Sequence, residues 1–252
     1  VWAVGDTNIN IGGFAGQTNQ GTYAVALGYQ SGQTNQGTRS IAIGYQAGQS
    51  NQGVNSVAIG FQAGQSSQQT GSVAIGVSAG SVAQGSYAVA LGHQAGLNGQ
   101  KIYGISIGYQ TGYNTQGEDS VAIGRTSGFN NQGTGSVAVG FNCGYNNQSQ
   151  FSVAIGYQAG SNTQASNSVA IGVNSGSDNQ QRLCVAIGSS AGQGSQGELC
   201  VAIGNSSGQS NQGAYSVAIG ASAGSATQGG ACVAIGNAAG NVSQGGQSVG
   251  IG

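Results

Sequence analysis

The chain has 252 residues, with 51 glycines, no proline, no methionine, only 4% charged residues and a formal net charge of −1. That balance leaves no basic footprint for nucleic acid or an anionic membrane surface. No apolar run is long enough to cross a bilayer as a helix, so neither a nucleic-acid partner nor membrane insertion by this segment is expected.

Residues 1–8 read as a degenerate first coil, and residues 9–252 as one continuous domain. From Gly12, every sixteenth residue is glycine, through Gly28, Gly44 and Gly60 to Gly252. The same step links Gly16, Gly32 and Gly48 to Gly240, and Gln20, Gln36 and Gln52 to Gln244. Nothing is inserted or deleted after Ile9, so each block of sixteen reads as one lap of a solenoid.

Within each lap the first element is a short strand. Val25, Ile41, Val57 and Val73 begin an aliphatic column, and Leu27, Ile43, Ile59 and Ile75 another two residues later. The period of two and the β-branched side chains argue for a strand, and the glycine that follows ends it. The spacing predicts an all-β, parallel β-solenoid (a β-roll or β-helix) of about sixteen coils stacked at about 4.8 Å, roughly 75 Å long. Val57, Ile59, Val73 and Ile75 are expected inside as core ladders. The column of Ala15, Ser31, Ala47 and Ala63 is expected to face them, with Gln52 and Gln68 in an amide ladder along the axis.

The other side of the same strand then faces outward. It carries Ser40, Ala42, Ser56, Ala58, Ser72, Ala74, Ser120, Ala122, Ser136, Ala138, Cys184, Ala186, Cys200 and Ala202. This flat strip of small residues is expected to pack against another copy of the chain. A second candidate surface is aromatic. Tyr113, Phe129 and Tyr145 are consecutive in one column; Tyr109, Arg125, Phe141 and Tyr157 occupy another. Such rings suit a glycan or a protein loop, or simply stiffen the ladder.

Reactive chemistry is sparse. His93 is the only histidine and falls in the aromatic column. The acids are Asp6, Glu118, Asp119, Asp178 and Glu198, and the adjoining pair points to opposite faces of a strand. Calcium-binding repeats place an aspartate in every turn, where this chain has Asn, Ser, Thr and Gly. No catalytic residue, metal site or cofactor is expected, and a carbohydrate-cleaving β-helix enzyme would need clustered carboxylates. The four cysteines occupy small-residue columns and read as free thiols. Neither end shows the cap a solenoid needs, so a longer parent chain is expected.

The motif Asn55-Ser56-Val57-Ala58-Ile59-Gly60, repeated as Asn167-Ser168-Val169-Ala170-Ile171-Gly172, resembles the head repeat of YadA-like trimeric autotransporter adhesins. It is also similar to repeat arrays in fibre proteins of large viruses and phages. The adhesin resemblance covers nearly the whole chain and implies a left-handed β-roll, a homotrimer, and display on a cell or virion surface facing a host protein or glycan. The repeat here is longer than the family's usual one, and no neck, stalk or anchor accompanies it. The expected role is therefore a non-enzymatic, extracellular structural and interaction protein. The alternative is an ice-binding solenoid, using the Ser–Ala strip or the column of Thr18, Thr34, Ser50 and Ser66.

Overall fold

The computed structural model describes residues 8–252, which form two compact units divided after Arg125. The expected degenerate coil over residues 1–8 lies outside the described residues, save Asn8. Among the described residues there are strands, turns and bends and no helix.

In the first unit, strand Ile9–Ile11 pairs in parallel with Val25–Leu27, which pairs with Ile41–Ile43, and so on to Val121–Arg125. Every pairing joins residues sixteen apart, as in Val57↔Val73 and Ile59↔Ile75. A second set of short strands, from Thr34–Gln36 to Asn114–Gln116, lies in the other half of each coil. Its first members pair in the same parallel register, Gln36 opposite Gln52 and Gln68 opposite Gln84. The second unit repeats this plan. Its aliphatic strands run from Val137–Phe141 to Val249–Ile251 and its amide strands from Asn130–Gln132 to Ser243–Gln244. Each unit is thus a parallel β-solenoid with one coil per sixteen residues.

The turns explain the glycine columns. Gly44 has φ +128°, and an added Cβ would stand 2.6 Å from the carbonyl oxygen of Gly60 in the next coil. Gly48 has φ +51°, and its Cβ would meet the Gln52 amide at 2.7 Å. Up to three further positions in a coil take the left-handed region with other residues, as at Gln46, Asn51 and Asn55 (φ 54°, 55° and 57°). Asparagine and glycine tolerate that region best, which accounts for their abundance between the strands.

The orientation of the aliphatic strand is the reverse of the one expected from sequence. Ser56, Ala58, Ser72 and Ala74 are fully buried, whereas Val57 and Ile59 are only half-buried and Ile75 is 37% exposed. Val57, Ile59, Val73 and Ile75 are therefore not core ladders: they point out of the coil. The small column does lie inside, but Ala47, Ala63 and Ala79 pack on Ala58, Ala74 and Ala90 rather than on Val and Ile. Two strands of three residues joined by tight turns enclose too little width for branched side chains. The interior holds an alanine or serine from each wall and one glutamine amide, and it is filled: a Cβ on Gly64 would lie 3.3 Å from the Ala58 Cβ.

Candidate functional site

Because the strand is reversed, the proposed strip of small residues is not a surface. Ser40, Ala42, Ser120, Ala122, Ser136, Ala138, Cys184, Ala186, Cys200 and Ala202 are all fully buried within their own coils, and no partner chain can reach them. Their polar atoms are satisfied locally. The Ser40 hydroxyl donates to the Gly37 carbonyl at 2.6 Å, and the Ser56 hydroxyl to that of Gly53 at 2.7 Å.

The thiols substitute for these hydroxyls. Cys184 Sγ donates to the Gly197 carbonyl at 2.8 Å, and Cys200 Sγ to that of Gly213 at 3.0 Å. Ser216, in the same column, donates to the Gly229 carbonyl at 2.8 Å. All four cysteines are free and buried. Burial pushes the Cys143 thiol above its usual range. The hydrogen bond shared with Cys200, and then burial, push Cys184 up as well. Thiols held protonated in this way are poor nucleophiles and poor metal ligands.

The glutamine column is buried and polar. Gln148 donates its side-chain amide to the Val137 carbonyl at 2.9 Å and to Gln164 Oε1 at 3.1 Å. Gln52 and Gln68 are equally buried; their amides donate to the Ile41 and Val57 carbonyls, both at 2.7 Å. Each glutamine thus ties the amide wall of a coil to its aliphatic wall. It fills the core and presents nothing to a ligand.

What the solenoid offers outward is the aliphatic strip. In the first unit eight parallel strands, from Ile9–Ile11 to Val121–Arg125, turn their Val, Ile and Leu side chains to solvent. Exposed corner residues border this strip on both sides. Tyr29, Tyr45, Phe61 and Tyr109 follow the strand, and Tyr23, Tyr87 and Tyr103 precede it. Sequence reasoning missed the preceding column altogether. The signal was present: those residues share the alternation of Val and Ile, with a buried small residue between. Counting both borders, the apolar face measures on the order of 700 Å² per unit at strand spacing, more than the few hundred Å² a monomer ordinarily exposes.

The rings of the aromatic patch form axial ladders. In the first unit the Arg125 guanidinium lies over the Tyr109 ring, 5.9 Å from its centroid. In the second, Phe129 stacks on Tyr145 at 4.9 Å and Phe141 on Tyr157 at 5.3 Å. Tyr113 belongs to the half-buried column of Phe129 and Tyr145. Stacked rings cover one another's faces, so a ligand approaching from the side meets ring edges and phenol hydroxyls. Among the described residues, no group of three or more His, Cys, Asp or Glu side chains gathers as a metal site would require.

The fold defines a parallel β-solenoid repeat protein with an apolar outer flank. A family model for the YadA head domain repeat (two copies) matches residues 36–48, 67–95 and 149–175. Those stretches carry the strand motif and its turns, so the resemblance to YadA-like trimeric autotransporter adhesin heads holds over these residues, and the chain is a β-solenoid repeat protein similar to those heads. No curated protein matches the chain.

Proposed function

We propose that this protein is a non-enzymatic structural and interaction protein: a stiff β-solenoid that assembles as a homotrimer through its aliphatic flank and is displayed outside the cell, on a cell or virion surface. The observation that carries this reading is the outward Val–Ile strip with its aromatic borders. An apolar face near 700 Å² is close to the ~800 Å² per partner of a stable protein interface, and leaving it in water would cost solubility in so uncharged a chain. The trimer and the surface location come from the likeness to adhesin heads. The polar flank and the outer phenols are then left for a host-surface protein or glycan. Size-exclusion chromatography with light scattering tests the assembly: trimers are expected, and a clean monomer at high concentration would contradict it.

The ice-binding reading keeps one support. Thr18, Thr34, Ser50 and Ser66 form an outer column on the amide wall, with Thr34 opposite Ser50. Val82 ends that run, and the Ser–Ala strip is internal. Thermal hysteresis at high protein concentration decides it.

A further inference from the structure

On the amide wall of the first unit the repeat breaks its own pattern at one place. Asn19, Asn35 and Asn51 stand one coil apart, each at a left-handed position (φ 52°, 54° and 55°). Asn19 donates its side-chain amide to Asn35 Oδ1 at 2.9 Å, and Asn35 donates to Asn51 Oδ1 at 2.9 Å. Each amide of this ladder thus gives its hydrogen to the following coil. The coil after Asn51 holds Ser67 in that column (φ 59°). The serine does not take up the bond, so Asn51 Nδ2 has no partner among the described residues.

The break borders a cavity. About 330 Å³ of space opens at the surface between Asn51, Gly53, Ser67, Gln68, Gln69 and Thr70, all uncharged. Gln69 takes a place that is glycine in the coils on either side, Gly53 and Gly85. Its Oε1 accepts from the Ser86 hydroxyl at 3.5 Å, which leaves its amide hydrogens free to donate. Asn51, Ser67, Gln69 and Thr70 are all exposed. A ring adjoins them. The Tyr87 backbone amide donates to the Thr70 carbonyl at 2.9 Å, and the Tyr87 side chain, 54% exposed, leans on Gly71, where a Cβ would lie 2.7 Å from the ring. Tyr103 stacks on that ring from the following coil at 5.6 Å, while Gly71 has no side chain to cover its other side.

We propose that this cavity binds an uncharged pyranose residue of a glycan. Sugar hydroxyls both donate and accept. Here they meet two amide donors, from Asn51 and Gln69, and two hydroxyls, from Ser67 and Thr70, with Tyr87 beside them for the apolar face of the sugar ring. The lining offers no cation to a phosphate, sulfate or carboxylate, and no carboxylate to a cation. The volume falls among those of small-molecule sites. The hydrogen bond from Asn35 holds the Asn51 amide in place beforehand, so little order is lost when a ligand accepts from it. This deepens the reading that the polar flank is left for a host-surface glycan, and rests on it.

Saturation-transfer NMR on the full chain tests the site. The probes are methyl β-galactoside, methyl β-glucoside and methyl α-mannoside, with N-acetylneuraminic acid as the anionic comparison. At least one methyl glycoside is expected to bind with a Kd on the order of 1 mM, and the acid is not. Ser67→Asn is the informative variant. Asparagine suits the left-handed position and continues the ladder by accepting from Asn51. The variant should therefore be at least as stable as the unsubstituted chain, yet bind at least about tenfold more weakly. Thr70→Val, which keeps the shape and removes the hydroxyl, should weaken binding about fivefold. A preference for the acid would overturn the neutral ligand class. A glycoside whose binding survives Ser67→Asn unchanged would keep the glycan reading and overturn this site. Light scattering on the same samples separates the assembly: a trimer that binds none of the glycosides at about 20 mM loses the site alone, and a monomer that binds one loses the trimer alone.

Discussion

Gly44 and Gly60 stand one coil apart in such close contact that a Cβ on Gly44 would lie 2.6 Å from the Gly60 carbonyl oxygen. The same approach recurs at Gly60 against Gly76, with φ +128° at both positions. Each glycine of this column therefore meets two demands at once, a backbone angle that L side chains rarely adopt and a neighbour with no room to yield. That is why the sixteen-residue step never misses a glycine there.

Replacing Gly60 with alanine is expected to destabilise the protein by more than about 2 kcal/mol, from strain and backbone overlap together. Gly230 is the control, in a column that holds Ala214 one coil earlier. An added Cβ there meets only the Ala214 carbonyl oxygen, at an ordinary 3.5 Å, and its φ is not positive. Gly230→Ala should be neutral or stabilising by up to about 1 kcal/mol. Chemical denaturation of the two variants checks the contrast.

The buried amides predict a second class of effect. Gln148→Ala removes the donor to the Val137 carbonyl and to Gln164 Oε1, and opens a void between the walls. A loss of about 2–4 kcal/mol is expected. Hydrogen exchange should show the neighbouring coils losing protection before distant ones, because repeat stability is carried by nearest neighbours.

Strain at the left-handed positions is adjustable. Thr163 has φ 50°, a poor setting for a β-branched residue, while Asn147 one coil earlier has φ 52°. Thr163→Asn is expected to stabilise by about 0.5–1 kcal/mol, read as a higher denaturation midpoint at unchanged slope.

The Cys143 thiol gives a pH dependence with a definite sign. Burial holds Cys143 above the usual thiol value of 9.0. The folded chain therefore keeps this proton where the unfolded chain gives it up. The stabilisation is complete below about pH 9 and falls as pH rises beyond it. Stability measured from pH 7 to 10.5 should decline, and Cys143→Ser should lessen the decline. Equal slopes with and without the thiol would contradict the assignment.

Period, strand position and parallel register were all legible in the sequence, because a ladder of identical neighbours tolerates no change of length. The direction of the strand was not. Alternation shows that Val57 and Ile59 share one side and Ser56 and Ala58 the other, but it does not say which side is inside. The usual rule that branched apolar residues are buried pointed the wrong way here, because the lap is too narrow for them. The deciding feature was the small size of the residues in the Ser56, Ala58 and Ala63 columns after the first coil, which only a tight interior requires. The apolar flank became visible only once that direction was known.

The most direct measurement of the inside–outside assignment compares Ala58→Val with Ile59→Ala by equilibrium denaturation, monitored by circular dichroism at a concentration where the chain is monomeric. The account predicts that Ala58→Val, which overfills the coil, costs about 1–3 kcal/mol, while Ile59→Ala, which trims an outer side chain, costs well under 1 kcal/mol and weakens association instead. A harmless Ala58→Val beside an Ile59→Ala that loses the 2–5 kcal/mol of a truncated core residue would contradict it.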